Sequence, residues 1–375
     1  MQKPSLILTN VVLFTVTTLI CLFLVPVEGI TNGFDRVEII SCITLIWLSG
    51  LSITAGYHRL WAHKAYDAHP VIRVLFALGG ALALQNSILH WASDHRVHHK
   101  HVDDNDRDPY SAGRGFWFSH IGWMLREYQA SRYQDYNNCR DLQKDRVVMW
   151  QHKHYLVLTL TTNFGLPLLL GWLNGDIWGM LLLAGVLRLA VVHHVTFFIN
   201  SLAHMWGKQP YTDRNSARDS GFLALLTFGE GYHNYHHSFE YDYRNGIRWW
   251  QFDPTKWLIR GLSYLGLTKN LRRVPEQRIE RARVEMQLKH VQRRVAHLPN
   301  ANVISQRVQK EYELLVEKMT AYYDIKKRLL EIKKRQVAAQ YEKLDLDYKY
   351  RELKQAFALA KSRWLEMHKF ETDYS

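Results

Sequence analysis

Residues 95–99 read His95-Arg-Val-His98-His99, and residues 233–237 read His233-Asn-Tyr-His236-His237. A third group, His58-Arg-Leu-Trp-Ala-His63, precedes both. On a helix, positions three and four apart share a face. Each His-x-x-His-His run can therefore converge on one point. With 20 histidines in 375 residues, two copies of this spacing are not a chance expectation. Imidazole is a neutral ligand suited to iron, zinc, copper and nickel. These eight are too many for one tetrahedral zinc and suit two metals with five or six ligands each.

Outward from these clusters lie apolar segments of bilayer length, about 20 residues. Four qualify: Ser5–Val27, Val37–Ala55, Tyr155–Leu173 and Ile177–Ile199. They pair as two hairpins with short far-side loops, 28–36 and 174–176. Nearly all Lys and Arg lie before Tyr155 or after Asn200, so the positive-inside rule makes both termini cytoplasmic. A fifth apolar stretch, Val71–Leu89, separates the first two histidine groups. One crossing there would put those groups on opposite sides of the membrane. The stretch is therefore expected as an interfacial or re-entrant helix. The fourth span ends in Asn200-Ser-Leu-Ala-His204, an i,i+4 pair at the cytoplasmic mouth that could add ligands. His193 and His194, deeper in that span, are expected to form structural hydrogen bonds. His90, His120, His152 and His154 are given no role.

Composition narrows the class further. Aromatic residues are 13%, which excludes disorder as the main state. Three cysteines exclude a disulfide scaffold and a zinc ribbon. From about residue 276 the chain turns polar. Glu276–Ser375 contains 22 Lys and Arg against 15 Asp and Glu, so it supplies +7 of the formal +13. Tyr312, Leu315, Met319 and Tyr322 recur in steps of three and four, a heptad-like stripe. His297-Leu298-Pro299-Asn300 breaks the helix. The expectation is a short helix, Glu276–Ala296, then one long helix, about Asn302–Phe370, able to pair back or to zip with a second chain. The organisation is thus a membrane domain, residues 1–275, and a basic helical, coiled-coil-like tail, residues 276–375.

The wording of the motifs is more specific than their spacing. Ile53-Thr-Ala-Gly-Tyr-His58, Trp91-Ala-Ser-Asp-His95, Gly115-Phe-Trp-Phe-Ser-His120-Ile-Gly-Trp123 and Gly229-Glu-Gly-Tyr-His233 closely resemble the integral-membrane fatty acid desaturases, and among them the acyl-CoA Δ9 (stearoyl-CoA) type. The resemblance runs from about Thr54 to Leu271. It implies an all-α membrane protein of four transmembrane helices with a cytosolic helical cap that holds two irons. The ligands it implies are His58, His63, His95, His98, His99, His204, His233, His236 and His237, with Asn200 acting through a water. It implies a bent acyl tunnel, with Gln85, Trp91 and Thr196 at the bend, Phe197 as a substrate contact beside Thr196, Asn86, Asp94 and Arg126 toward CoA, and Ile46 and Gly50 at the far end. Ser93 departs from the family's usual Arg, and Phe197 from its Trp, which bears on CoA contacts.

The implied reaction is O2-dependent insertion of a cis double bond into a long-chain acyl-CoA, with a membrane fatty acyl or alkane hydroxylase, or a desaturase of glycerolipid-linked chains, as alternatives. A scaffold acting through its tail is a further alternative, one that need not bind iron. No His-Pro-Gly-Gly motif of a fused cytochrome b5 occurs in the chain. A separate donor is therefore expected: cytochrome b5, ferredoxin or rubredoxin. No nucleic acid partner is expected. A bacterial inner membrane is expected over the endoplasmic reticulum.

Overall fold

The computed structural model describes residues 4–128, 135–298, 300–335 and 340–370. Pro299 lies outside the described residues. Four helices are long and apolar enough to cross a bilayer: Leu8–Thr31, Arg36–Ala62, Tyr155–Asn174 and Ile177–Met205. Their outward faces carry exposed Phe23, Ile40, Leu48, Phe164 and Trp172. Apolar side chains turned outward along a whole helix are expected where lipid is the solvent. The two far-side turns are capped locally. Asp35 and Glu38 form a capping box at the start of the second span. The Asp176 side chain accepts from Gly179 N–H at the start of the fourth. Asn174 Nδ2 donates to Asp35 Oδ2 at 2.6 Å and links the two turns.

The second and fourth spans run beyond the lengths expected for a bilayer alone. Their extra turns carry His58 and His204 out of the apolar zone. The second span changes winding on the way. Ser52–Ala62 is π-helical, and His63 N–H donates to His58 C=O five residues back, at 3.0 Å. This solves a problem of spacing. An offset of five points away from the starting face of an α-helix and returns toward it when the turn is widened. The rings of His58 and His63 have centroids 4.8 Å apart.

The stretch 71–89 is not one helix. Pro70–Leu82 is a helix of 13 residues, about 20 Å long, too short to cross. His69 caps it and Pro70 occupies its first turn. It stops at Ala83, where Leu84 takes a left-handed conformation (φ 51°). The chain then restarts as helix Ile88–Lys100, with the Ser87 side chain as N-cap. Tyr57, Trp61, Phe76, Ile88 and Ala92 meet in one buried cluster that joins these helices to the second span. A second cluster, Cys42, Leu45, Leu82, Met180 and Leu183, joins spans two and four. Asp67–Ala68 pairs antiparallel with Thr268–Lys269.

The chain divides into two compact units. One comprises Met1–Lys208 and Arg214–Arg273, the other Gln209–Asp213 and Val274–Ser375. In the second unit Glu276–Val295 is helical, near the expected bounds. The single long helix expected after it is instead two, Ala301–Arg335 and Gln340–Phe370. They pack face to face: Tyr322 stacks on Phe357 with centroids 5.4 Å apart, and Tyr312 meets Trp364 at 6.1 Å. The stripe at Leu315 and Met319 is fully buried in this bundle, and Trp364 Nε1 donates to Gln287 Oε1 at 2.9 Å. The apolar stripe is thus covered within the chain, which needs no second molecule. Segment 209–213 belongs to the same unit through Asp213, bound by Lys289 and Arg293 at 2.6 Å each.

Candidate metal centre

All nine expected histidines gather in two groups. His58, His63, His95, His99 and His236 form the first, and His98, His204, His233 and His237 the second. Within each group the ligand atoms lie within 4.8 Å of one another. The π-turn places His58 and His63. Helix Ile88–Lys100 places His95 and His99 on one side and His98 on the next. The short helix His233–Ser238 divides its histidines the same way, His236 to the first group and His233 and His237 to the second. The two copies of His-x-x-His-His are therefore interleaved, each serving both groups. A chain segment that crossed the membrane between His63 and His95 could not give the 2.8 Å separation of their Nε2 atoms.

The Nε2 atoms point at each other. His58 and His236 are 3.0 Å apart, His236 and His99 3.0 Å, His233 and His204 3.1 Å, and His98 and His237 3.3 Å. The opposite nitrogens are held. His58 Nδ1 donates to Glu230 Oε2 at 2.9 Å, His98 Nδ1 to Asp108 at 2.9 Å, and His99 Nδ1 to Glu240 at 3.1 Å. His204 Nδ1 lies 2.8 Å from Ser216 Oγ, which in turn donates to Asp103. A carboxylate on Nδ1 fixes the proton there and leaves Nε2 as a lone pair. Converging lone pairs repel unless a cation lies between them, so this donor set fits metal ions and fits little else.

The electrostatics agree. Burial, then neighbouring imidazoles, push His63, His95, His233, His236 and His237 well below the usual histidine range. Burial likewise lowers His99 to about 4, against the opposing pull of Glu240. All are neutral at pH 7, as ligation requires. Burial would raise Glu230, but His58 and Arg59 outweigh it and hold the carboxyl at about 2. Arg59 is itself fully buried. Its guanidinium donates to Glu230 Oε1 at 2.8 Å, to Asp253 Oδ2 at 3.1 Å and to the Tyr243 carbonyl at 2.7 Å. Sequence analysis passed over Arg59, Asp108, Glu230, Glu240 and Ser216. For Glu230 a signal existed: it stands three residues before His233, a Glu-x-x-His spacing.

Beside the metal groups is a cavity of about 590 Å³. Gln85, Asn86, Trp91, Asp94, Arg126, Thr196, Phe197 and Asn200 line it, as do His90 and His193. Asn200 is thus on the cavity wall, outside both histidine groups. Trp91 stacks on His95 with centroids 4.8 Å apart, so the wall touches the metal site. Gln85 Nε2 donates to Thr196 Oγ1 at 2.8 Å. Ile46 and Gly50 do not line this cavity. Ile46 packs against the buried clusters, and a Cβ on Gly50 would sit 2.3 Å from the Phe228 ring. Ser93 donates to Asn138 at 2.8 Å. The unassigned histidines are engaged elsewhere: His120 with His194 and Ser201, at 3.0 Å each, and His152 with Ser87 at 2.7 Å.

Comparison with known proteins gives a concordant picture. Residues 39–269 match the family model described as fatty acid desaturase. A Schizosaccharomyces pombe protein named "Probable acyl-CoA desaturase" is 44% identical over 272 residues, 72% of this chain and 56% of its own length. "Acyl-CoA desaturase 1" of Saccharomyces cerevisiae is 43% identical over 252 residues, 67% of this chain and 49% of its own. The human "Stearoyl-CoA desaturase 5" is 35% identical over 292 residues, 74% of this chain and 84% of its own. The matched region spans about half the length of the two yeast proteins.

Proposed function

The chain belongs to the fatty acid desaturase family, and from that premise we propose that it is an acyl-CoA Δ9 desaturase with two irons. The observation that carries this is the paired set of buried, converging imidazole Nε2 atoms beside a cavity of about 590 Å³. His58, His63, His95, His99 and His236 would hold one iron. His98, His204, His233 and His237 would hold the other, with Asn200 reaching it through a water. Iron there supplies the activation of O2 needed to take hydrogen from an unactivated chain. The balance is one –CH2–CH2– unit, O2, two electrons and two protons giving –CH=CH– and two waters.

The protein's own part is positioning. The cavity would hold the alkyl chain away from water, with the Gln85–Thr196 pair at its bend and Trp91 between chain and metal. Asn86, Asp94 and Arg126 would meet the polar end. Glu230, Asp108 and Glu240 fix the imidazole tautomers, so that the Nε2 lone pairs face inward. The two electrons would come from a donor of the cytochrome b5, ferredoxin or rubredoxin kind.

Expression in a desaturase-deficient host, with gas chromatography of its fatty acids, tests the activity. A new cis-monounsaturated product is expected from the wild type, with about two irons per chain by mass spectrometry. His98→Ala and His236→Ala should lose iron and product together. Activity surviving both changes would sink the assignment.

One observation favours desaturation of lipid-linked chains as a second reading. Among the described residues lining the cavity, Arg126 is the only Lys or Arg. Labelled acyl-CoA and labelled phosphatidylcholine given separately to purified protein would discriminate the two. Both termini are proposed to be cytoplasmic. Cysteines placed at Asn32 and Leu298 check this, because an impermeant reagent on the far side should label only the first. The relatives named above are from two yeasts and human, which weighs slightly against the bacterial inner membrane expected from the sequence.

A further inference from the structure

The helix Pro70–Leu82 ends inside the membrane domain, next to the cavity. The last carbonyls of any helix lack intrahelical donors and carry the negative end of its dipole. Here donors from two other helices reach Ala81, Leu82, Ala83 and Leu84. Asn163 Nδ2 donates to Ala81 O at 3.1 Å. Arg188 Nη1 donates to Leu82 O at 2.7 Å. His193 Nε2 is shared between Ala83 O at 3.1 Å and Leu84 O at 3.2 Å. Two of the three side chains are also joined to each other: Arg188 Nη2 donates to Asn163 Oδ1 at 3.0 Å, and Arg188 Nε donates to Ala184 O of its own helix at 3.1 Å.

Arg188 is fully buried and forms no ion pair with a carboxylate among the described residues. A cation in such a place is costly unless something opposes it. The helix end does. The next residue after the clamped carbonyls is Gln85, whose side chain donates to Thr196 in the cavity wall. His193 and Thr196 are one turn apart on the fourth span, which also carries Asn200 and His204. The clamp therefore ties Gln85, on the cavity wall, to the fourth span, which also carries His204.

We propose that Asn163, Arg188 and His193 are positioning residues that set the height of the cavity bend relative to the metals, and so select which carbon–carbon bond is oxidised. This rests on the desaturase reading. A residue that only stabilised the fold would change yield. A residue that sets height changes the position of the double bond.

The test is the positional isomer distribution of products from His193→Leu, which removes the donor, and His193→Gln, which restores one. Iron content and thermal stability are measured in parallel. His193→Leu should lower the ratio of main to displaced isomer by about tenfold or more, as expected for loss of one buried hydrogen bond. His193→Gln should restore a single isomer. If the leucine variant does not fold, His193→Asn, too short to span both carbonyls, should give the mixed products instead. An unchanged isomer ratio in a folded, iron-bearing His193→Leu or His193→Asn protein overturns the clamp, whatever the yield. A wild type with no desaturated product overturns the underlying reading and is distinguishable from either result.

Discussion

Glu230 holds one histidine of the first group, His58, and ties it to a buried arginine. One oxygen accepts from His58 and from Asn245 Nδ2, at 2.9 and 2.7 Å, and the other accepts twice from Arg59, at 2.8 and 3.2 Å. Removing its charge while keeping its shape leaves the Arg59 cation with Asp253 alone and weakens the hold on the His58 tautomer. Partners of this kind typically change metal affinity by about 10- to 100-fold. Glu230→Gln should therefore bind iron about 10- to 100-fold more weakly, measured by competition with a chelator. Unchanged affinity would mean that His58 is oriented by packing alone. Asp108 and Glu240 act on His98 and His99 by the same chemistry, but Glu240 is more than half exposed. Water can replace it, so its removal should matter less.

Among the elements, the second span shows how winding and close packing decide a site. Its α-helical part crosses, and its π-helical end delivers two ligands five residues apart. Just before the change lies Gly50, against the edge of Phe228, whose ring also meets Trp47 at 5.2 Å. The contact leaves no room for a side chain. Gly50→Leu must displace Phe228, at roughly 1–3 kcal/mol for overpacking of this kind. The expected outcome is a lower thermal midpoint with activity lost evenly across saturated chains of graded length. A selective loss of the longer substrates, with stability retained, would instead place the end of the acyl tunnel at Gly50. The fourth span works differently: its end carries Thr196 and Asn200 on the cavity wall and, four residues on, His204 in the second histidine group.

At the scale of the whole molecule, metal ligands and cavity belong to one unit and the tail helices to the other. The tail bundle has its own buried centre, Val291, Leu315, Met319 and Trp364. Its helices are held together by apolar side chains from within the tail, with no histidine among the metal groups. On the proposed function, a chain ending after Arg273 should bind iron and turn over in detergent as the full chain does. Iron analysis and product yield check this, with size-exclusion chromatography to confirm a folded protein. Loss of iron from such a folded protein would show that the tail supports the metal site. Asp213, deprived of Lys289 and Arg293, should become more open to proteolysis nearby.

Much of this was legible in the sequence because it depends on local pattern. Apolar length marks the four spans, since bilayer thickness is fixed. Repeated His-x-x-His-His spacing marks the ligands, since helical geometry puts three and four apart on one face. Other features depend on contacts between distant residues and left no local trace. The interleaving of both histidine runs across two metal groups is decided by where helices 88–100 and 233–238 meet. The winding that brings His58 beside His63 goes with the burial of Ser52–Ala62 against distant parts of the chain. The tail stripe announced a partner, but only the packing of helix Ala301–Arg335 on helix Gln340–Phe370 decided that the partner was the same chain. The carboxylates behind the ligands, and the donors that end helix Pro70–Leu82, lie 10 to 172 residues from what they hold. Hydrogen bonds reach about 3 Å whatever the separation in sequence, so tertiary structure alone could assign them.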